Sequence, residues 1–212
     1  MKLNLPILIA VAVVLAGLGA LVLWQPDPST LDLLSSSVEH ARQSVREQGR
    51  KKNRVYVEGR DFIIDTPIIL SRTHDEMLVR VDIRFDQAEP GREYHRVLRN
   101  EKAWVVDLDL GAHFRDFVER EKKALCDRLA KRLQERYQAA VDIPAENVRI
   151  AHRLREAPAT GTPDVRLLGS VEIWFRDGGG EGRYIEDFTF AKGAWTPEPG
   201  GGSLFDRGPR PR

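Results

Sequence analysis

From Leu5 to Trp24 the chain runs twenty residues without a charge. At 1.5 Å per helical residue that is about 30 Å, the thickness of a bilayer's hydrocarbon core. Pro6 falls in the first turn, where proline is tolerated. Twelve of the twenty are Leu, Ile or Val, which together favour insertion by about 4–7 kcal/mol. Trp24 ends the run as an interfacial aromatic, and Gln25-Pro26-Asp27-Pro28 stops the helix. A cleaved signal peptide would need small residues at −3 and −1 after a shorter apolar core. A cut after Ala20 puts Leu18 at −3. The run is therefore expected to stay as a membrane anchor.

Orientation follows from positive charge. The α-amine and Lys2 precede the anchor, and the first Lys or Arg beyond it is Arg42. This asymmetry places residues 1–4 in the cytoplasm and the body across the membrane, in the periplasm if the cell is bacterial. Ala12, Ala16 and Ala20 recur every four residues and could let two such helices approach closely.

Lys2 is the only charge in residues 1–24, so the remaining 188 residues carry 32 of each sign. That balance argues against a nucleic-acid partner, which usually meets a net basic face. The single cysteine, Cys126, excludes an internal disulfide framework or a multi-cysteine metal site.

Beyond the anchor, Ser29-Thr30 can cap a helix reaching about Gln48, with Leu31, Leu34, Val38, Ala41 and Val45 as an apolar stripe and Gly49 as terminator. Val79, Val81, Ile83 and Phe85 alternate with Arg80, Asp82 and Arg84, and Glu93–Leu98 returns after Glu89-Pro90-Gly91 as a hairpin partner. The strongest helix spans Ala112 to about Ala140, with Phe117, Leu125, Leu129, Leu133 and Tyr137 on one line. Val165–Phe175 and Arg183–Phe190 form a second hairpin around Asp177-Gly178-Gly179-Gly180.

The two hairpins look like copies. Val81-Asp82-Ile83-Arg84-Phe85 matches Val171-Glu172-Ile173-Trp174-Phe175 at an offset of 90, which also relates Tyr94 to Tyr184. One residue later in register, Ala103-Trp104 matches Ala194-Trp195. The expected fold class is α+β: an anchor at 5–24, then two α-β-β-β units at 29–107 and 111–196, with helices on antiparallel sheet. Residues 197–212, rich in Pro and Gly, are expected to be disordered.

No linear signature of chemistry is present. The histidines His40, His74, His95, His113 and His152 lack metal-ligand spacing, and Cys126 sits mid-helix beside Leu125 and Leu129. Gly178 to Gly182 lies between strands, not before a helix, so it reads as a hairpin tip instead of a phosphate loop. Asp107 and Asp109 would share one face of an extended segment. No catalytic residue, metal or cofactor is assigned.

What remains are surfaces. Arg50, Lys51, Lys52 and Arg54 place four cations within five positions, suited to an acidic partner or anionic lipid heads. Leu204 and Phe205 form an apolar point in the tail that could dock a partner. The expected function is that of a non-enzymatic, membrane-anchored envelope protein, an assembly or scaffold subunit contacting other membrane proteins or a second copy of itself. The alternative is a small-ligand or lipid-binding module, with Trp104, Trp174, Trp195, Phe175 and Phe188 lining a pocket.

This layout resembles that of bitopic bacterial envelope proteins with a tiny cytoplasmic tail and a compact exported α+β domain, such as flagellar stator-associated proteins and type IV secretion subunits. The resemblance is of architecture and carries no residue across. The exported unit is likewise similar to a cystatin-like or nuclear-transport-factor-like arrangement, a helix cradled by an antiparallel sheet.

Overall fold

In the computed structural model, residues 28–101, 103–138, 147–158, 165–177 and 180–206 are described. The expected anchor, with Ala12, Ala16 and Ala20, lies outside them, as does the end of the tail from 207. Among the described residues no helix is long and apolar enough to cross a membrane.

Helix α1 spans Pro28–Lys51. Its fully buried row is Ser37, Ala41 and Val45, with Gly49 one turn further. Leu34 and Val38, expected at the centre of the apolar stripe, are only half-buried. Small side chains on the contact line let the helix backbone lie close to the sheet beneath it. Gly49 does not end the helix, as the sequence suggested. Asn53, at φ 53°, takes the left-handed position, while Asn53 N donates to Arg50 O (3.1 Å) and Arg54 N to Gly49 O (2.8 Å). That pair of bonds closes the helix as a Schellman motif. Gly49 is needed for a different reason: a Cβ there would stand 2.7 Å from Arg54 O and 2.9 Å from the Tyr56 ring.

Strands β1 (Phe62–Ile64), β2 (Ile68–Arg72), β3 (Glu76–Phe85), β4 (Gly91–Asn100) and β5 (Ala103–Asp109) form the first sheet. It is antiparallel throughout, with β1 and β2 sharing the outer edge of β3. Phe62, Met77, Val79, Val81, Ile83, Val97 and Trp104 face α1 and close one core with Ala41 and Val45. Alternation along β3 produces this directly, since odd positions face the helix.

Strand β5 runs into helix α2 (Leu110–Tyr137) without a loop. Asp109 caps that helix, its carboxylate accepting from Gly111 N (2.8 Å) and Ala112 N (3.1 Å). Asp107 instead meets Arg96 at 3.2 Å. The two acids thus do separate work and form no cation site. The buried line of α2 is Leu110, Phe114, Phe117, Val118, Leu125, Leu129 and Leu133, close to the line read from the sequence.

The second sheet comprises β6 (Val148–Pro158), β7 (Val165–Asp177), β8 (Gly180–Ala191), β9 (Ala194–Pro197) and β10 (Ser203–Asp206). Strands β9 and β10 both pair with β8, so they form one interrupted edge. The expectation of a disordered tail fails for residues 203–206. Composition measures the entropy cost of ordering a Pro/Gly-rich segment, but the free edge of β8 supplies backbone partners that offset it. Gly202 fits because a Cβ there would fall 2.2 Å from the Tyr184 ring.

Each sheet is a meander preceded by a helix, and the β4–β5 and β8–β9 turns match closely. Asn100 pairs with Ala103 and Ala191 with Ala194, around Glu101 (φ 41°) and Lys192 (φ 51°). Trp104 and Trp195 then occupy the same step and are both buried. Tyr94 and Tyr184, paired by the offset of 90, are not equivalent. Tyr94 stands opposite Arg80 and faces away from α1, whereas Tyr184 stands opposite Ile173 and faces α2. The hairpin registers differ, which an offset between two linear segments does not report.

The units share a core. Leu70 and Tyr94 of the first sheet belong to the same buried cluster as α2, Val171, Phe188 and Trp195. Arg80 donates to both oxygens of Glu156 (2.9 and 3.0 Å), which also accepts from the Tyr94 hydroxyl (3.2 Å). These contacts join β3 and β4 to β6.

Among the described residues, one buried hydroxyl of α1 lacks a partner. Ser37 is fully buried and its hydroxyl makes no hydrogen bond. Ser37→Ala removes that unpaired group and raises helix propensity, so urea unfolding should show a gain of about 1 kcal/mol. A loss would mean that the hydroxyl is satisfied in solution.

Candidate interaction surface

The basic run predicted from the sequence lies at the far end of α1. Arg50 and Lys51 are in its last turn, Lys52 and Arg54 follow in the capping motif, and all four are exposed. Val55 beside them is 85% exposed. The 24 residues of α1 extend about 36 Å, so the run stands that far from Pro28.

The other sequence candidates disperse. Trp104 fills the α1 core, while Trp195, Phe175 and Phe188 fill the α2 core, and Trp174 lies outside both. The five aromatics therefore do not line a common pocket. His95 is fully buried, edge-on to His40 at 4.7 Å and 3.3 Å from Glu93. His113 Nδ1 accepts from Trp195 Nε1 at 3.1 Å. Among the described residues no three His, Cys, Asp or Glu side chains converge as a metal site. Burial pushes the half-buried Cys126 thiol up, away from the thiolate that nucleophilic chemistry needs.

The open face of the second sheet, away from α2, carries a more ordered arrangement. Arg149 on β6 stands opposite Trp174 on β7. Trp174 stands opposite Arg183 on β8, and Arg183 opposite Phe205 on β10. Four strands thus present Arg149, Trp174, Arg183 and Phe205 in one row across the sheet. The Arg149 guanidinium lies over the Trp174 ring at 5.7 Å, and that of Arg183 over the Phe205 ring at 5.2 Å. Cation–π contact of this kind contributes about 0.5–1 kcal/mol at an exposed site.

Charge on this face is sorted by level. One level holds Ser170, whose hydroxyl receives Arg155 Nε at 3.1 Å, while Arg155 also donates to Asp187 (2.6 Å). Arg153 approaches Glu172 at 3.6 Å, and beyond the row Arg176 pairs with Glu181. Among the described residues, Arg149 and Arg183 alone on these levels have no carboxylate partner. Trp174 and Phe205 are 37% and 48% exposed. Open depressions of about 380 Å³ and 330 Å³ flank the row, one at Arg149 and Trp174, the other at Arg183 and Phe205.

Leu204 and Phe205 are thus parts of a strand, not a free docking peptide. Leu204 packs toward the core and Phe205 stands on the open face. Arg149, Trp174 and Arg183 were not assigned together from the sequence. The available signal was phase: Trp174 falls on the polar phase of Val171, Ile173 and Phe175, where a large aromatic is out of place. No protein-family model, curated protein or solved structure matches the chain.

Proposed function

We propose that this chain is a membrane-anchored, non-enzymatic interaction subunit of an envelope complex, held by the Leu5–Trp24 segment with its folded body on the exported side. The observation that carries the reading is the row of Arg149, Trp174, Arg183 and Phe205 on an open sheet face. Exposed aromatics and arginines are enriched where proteins meet. The uncharged segment and the charge asymmetry around it support the anchor and its orientation. The dispersal of the large aromatics between two cores and this face favours surface contact over enclosure of a ligand.

The test is mild cross-linking of the tagged full-length protein in its native membranes, followed by identification of the captured proteins. A stable set of envelope proteins should appear and be lost when the anchor is exchanged for a cleavable signal. A protein that captures nothing and runs as a monomer in detergent would reject the reading.

A further inference from the structure

Resting on that reading, we infer that the row is a docking strip for an amphipathic helix of a partner protein, with carboxylates one heptad apart and apolar side chains between them. Neighbouring strands lie about 4.8 Å apart, so the four side chains recur at that interval across the sheet. On one face of a helix, residues at i, i+3/i+4, i+7 and i+10/i+11 recur at about 5.3 Å. A helix lying across the strands therefore meets each member of the row in turn. Carboxylates at i and i+7 reach Arg149 and Arg183, and apolar residues at i+3/i+4 and i+10/i+11 reach Trp174 and Phe205.

The N–H fork of a guanidinium matches a carboxylate or a phosphate, so the number and spacing of the cations distinguish the two. Among the described residues the row holds two arginines without a carboxylate partner, while Arg153 and Arg176 on the adjoining levels pair with Glu172 and Glu181. Two isolated cations suit a helix bearing two acids and not the continuous charge of a phosphate backbone.

The probe is a fluorescent helical peptide of about fifteen residues with Glu at i and i+7 and Leu at i+3, i+4 and i+10. Its control is an isomer of the same composition with the two Glu moved to the opposite face. Anisotropy titration against the full-length protein should show the first binding at least about tenfold tighter. Arg149→Ala and Arg183→Ala should each weaken it by about tenfold, as expected for loss of a charge-assisted bidentate contact. Equal binding of the two peptides, or no effect of either substitution, would overturn the inference. So would a single-stranded oligonucleotide, or vesicles of anionic lipid, binding more tightly through the same arginines. An intact set of cross-linked envelope proteins in the Arg149→Ala/Arg183→Ala variant would remove this strip while leaving the interaction-subunit reading in place.

Discussion

Gly169→Ala should cost the protein about 3 kcal/mol, one of the largest effects available from a single methyl group. Gly169 lies on β7, between Leu154 and Phe188 on the neighbouring strands, under the Phe114 ring. A Cβ at this position would stand 2.3, 2.4 and 2.7 Å from three ring carbons. Carbon atoms settle at about 3.5–4.0 Å, so the ring would have to retreat by more than 1 Å. It has nowhere to go. Phe114 is fully buried, with Trp195 at 4.5 Å, Phe117 at 5.9 Å and Phe188 at 6.2 Å between ring centroids. Overpacking of this kind costs about 1–3 kcal/mol and sometimes more, a large share of a typical stability. Thermal unfolding should fall by roughly 6–12 °C. Phe114→Leu, costly by itself, should recover much of the loss in the Gly169→Ala background. Strictly additive costs would show that the two positions do not compete for space.

The second large effect belongs to Glu186. Its carboxylate is 3% exposed and is held by Arg128 Nε at 3.0 Å and the Tyr184 hydroxyl at 3.3 Å. Arg128→Ala leaves the buried charge with one neutral donor, at an expected cost of about 2–3 kcal/mol. That is below the usual range for a broken buried pair because the Arg128 side chain is partly exposed. Adding Glu186→Gln should return part of it, since the uncompensated charge is what destabilises.

The same cluster sets the alkaline limit. Burial pushes the Tyr184 hydroxyl up to about 12, and the Glu186 carboxylate adds to it. The unfolded hydroxyl titrates near 10. Below about pH 10 both states keep the proton and this contribution is fully present. As pH rises toward 12 the unfolded chain loses the proton first, and about 2–3 kcal/mol of stability is lost. Burial moves Tyr94 in the same direction. Urea midpoints measured from pH 9 to 12 should therefore fall, and Tyr184→Phe should fall less steeply. A Tyr184→Phe variant with the native slope would place the alkaline sensitivity elsewhere.

Much of this architecture is legible in local pattern. The i+4 line from Phe117 to Leu133 defines α2 because a helix puts every fourth residue on one face. The alternation of Val79, Val81 and Ile83 defines β3 and the face that meets α1 for the corresponding reason in a strand. The Ala-Trp steps after the two tight turns could be paired by eye, since a two-residue turn fixes the register of the strand leaving it. Each of these depends on residues within a few positions of one another.

What the tertiary structure decided is everything that depends on register between distant strands. Tyr94 and Tyr184 are matched in sequence yet face opposite ways, because pairing across each hairpin shifts which side of the sheet a residue occupies. Ser203–Asp206 is ordered because β8 has an edge to offer it, which no count of prolines and glycines contains. The Arg149–Trp174–Arg183–Phe205 row needs three registers at once, linking residues 56 positions apart from first to last. Sequence determined the elements, through short-range periodicity. Which faces they turn to one another and to solvent was set by long-range hydrogen bonding and shared burial.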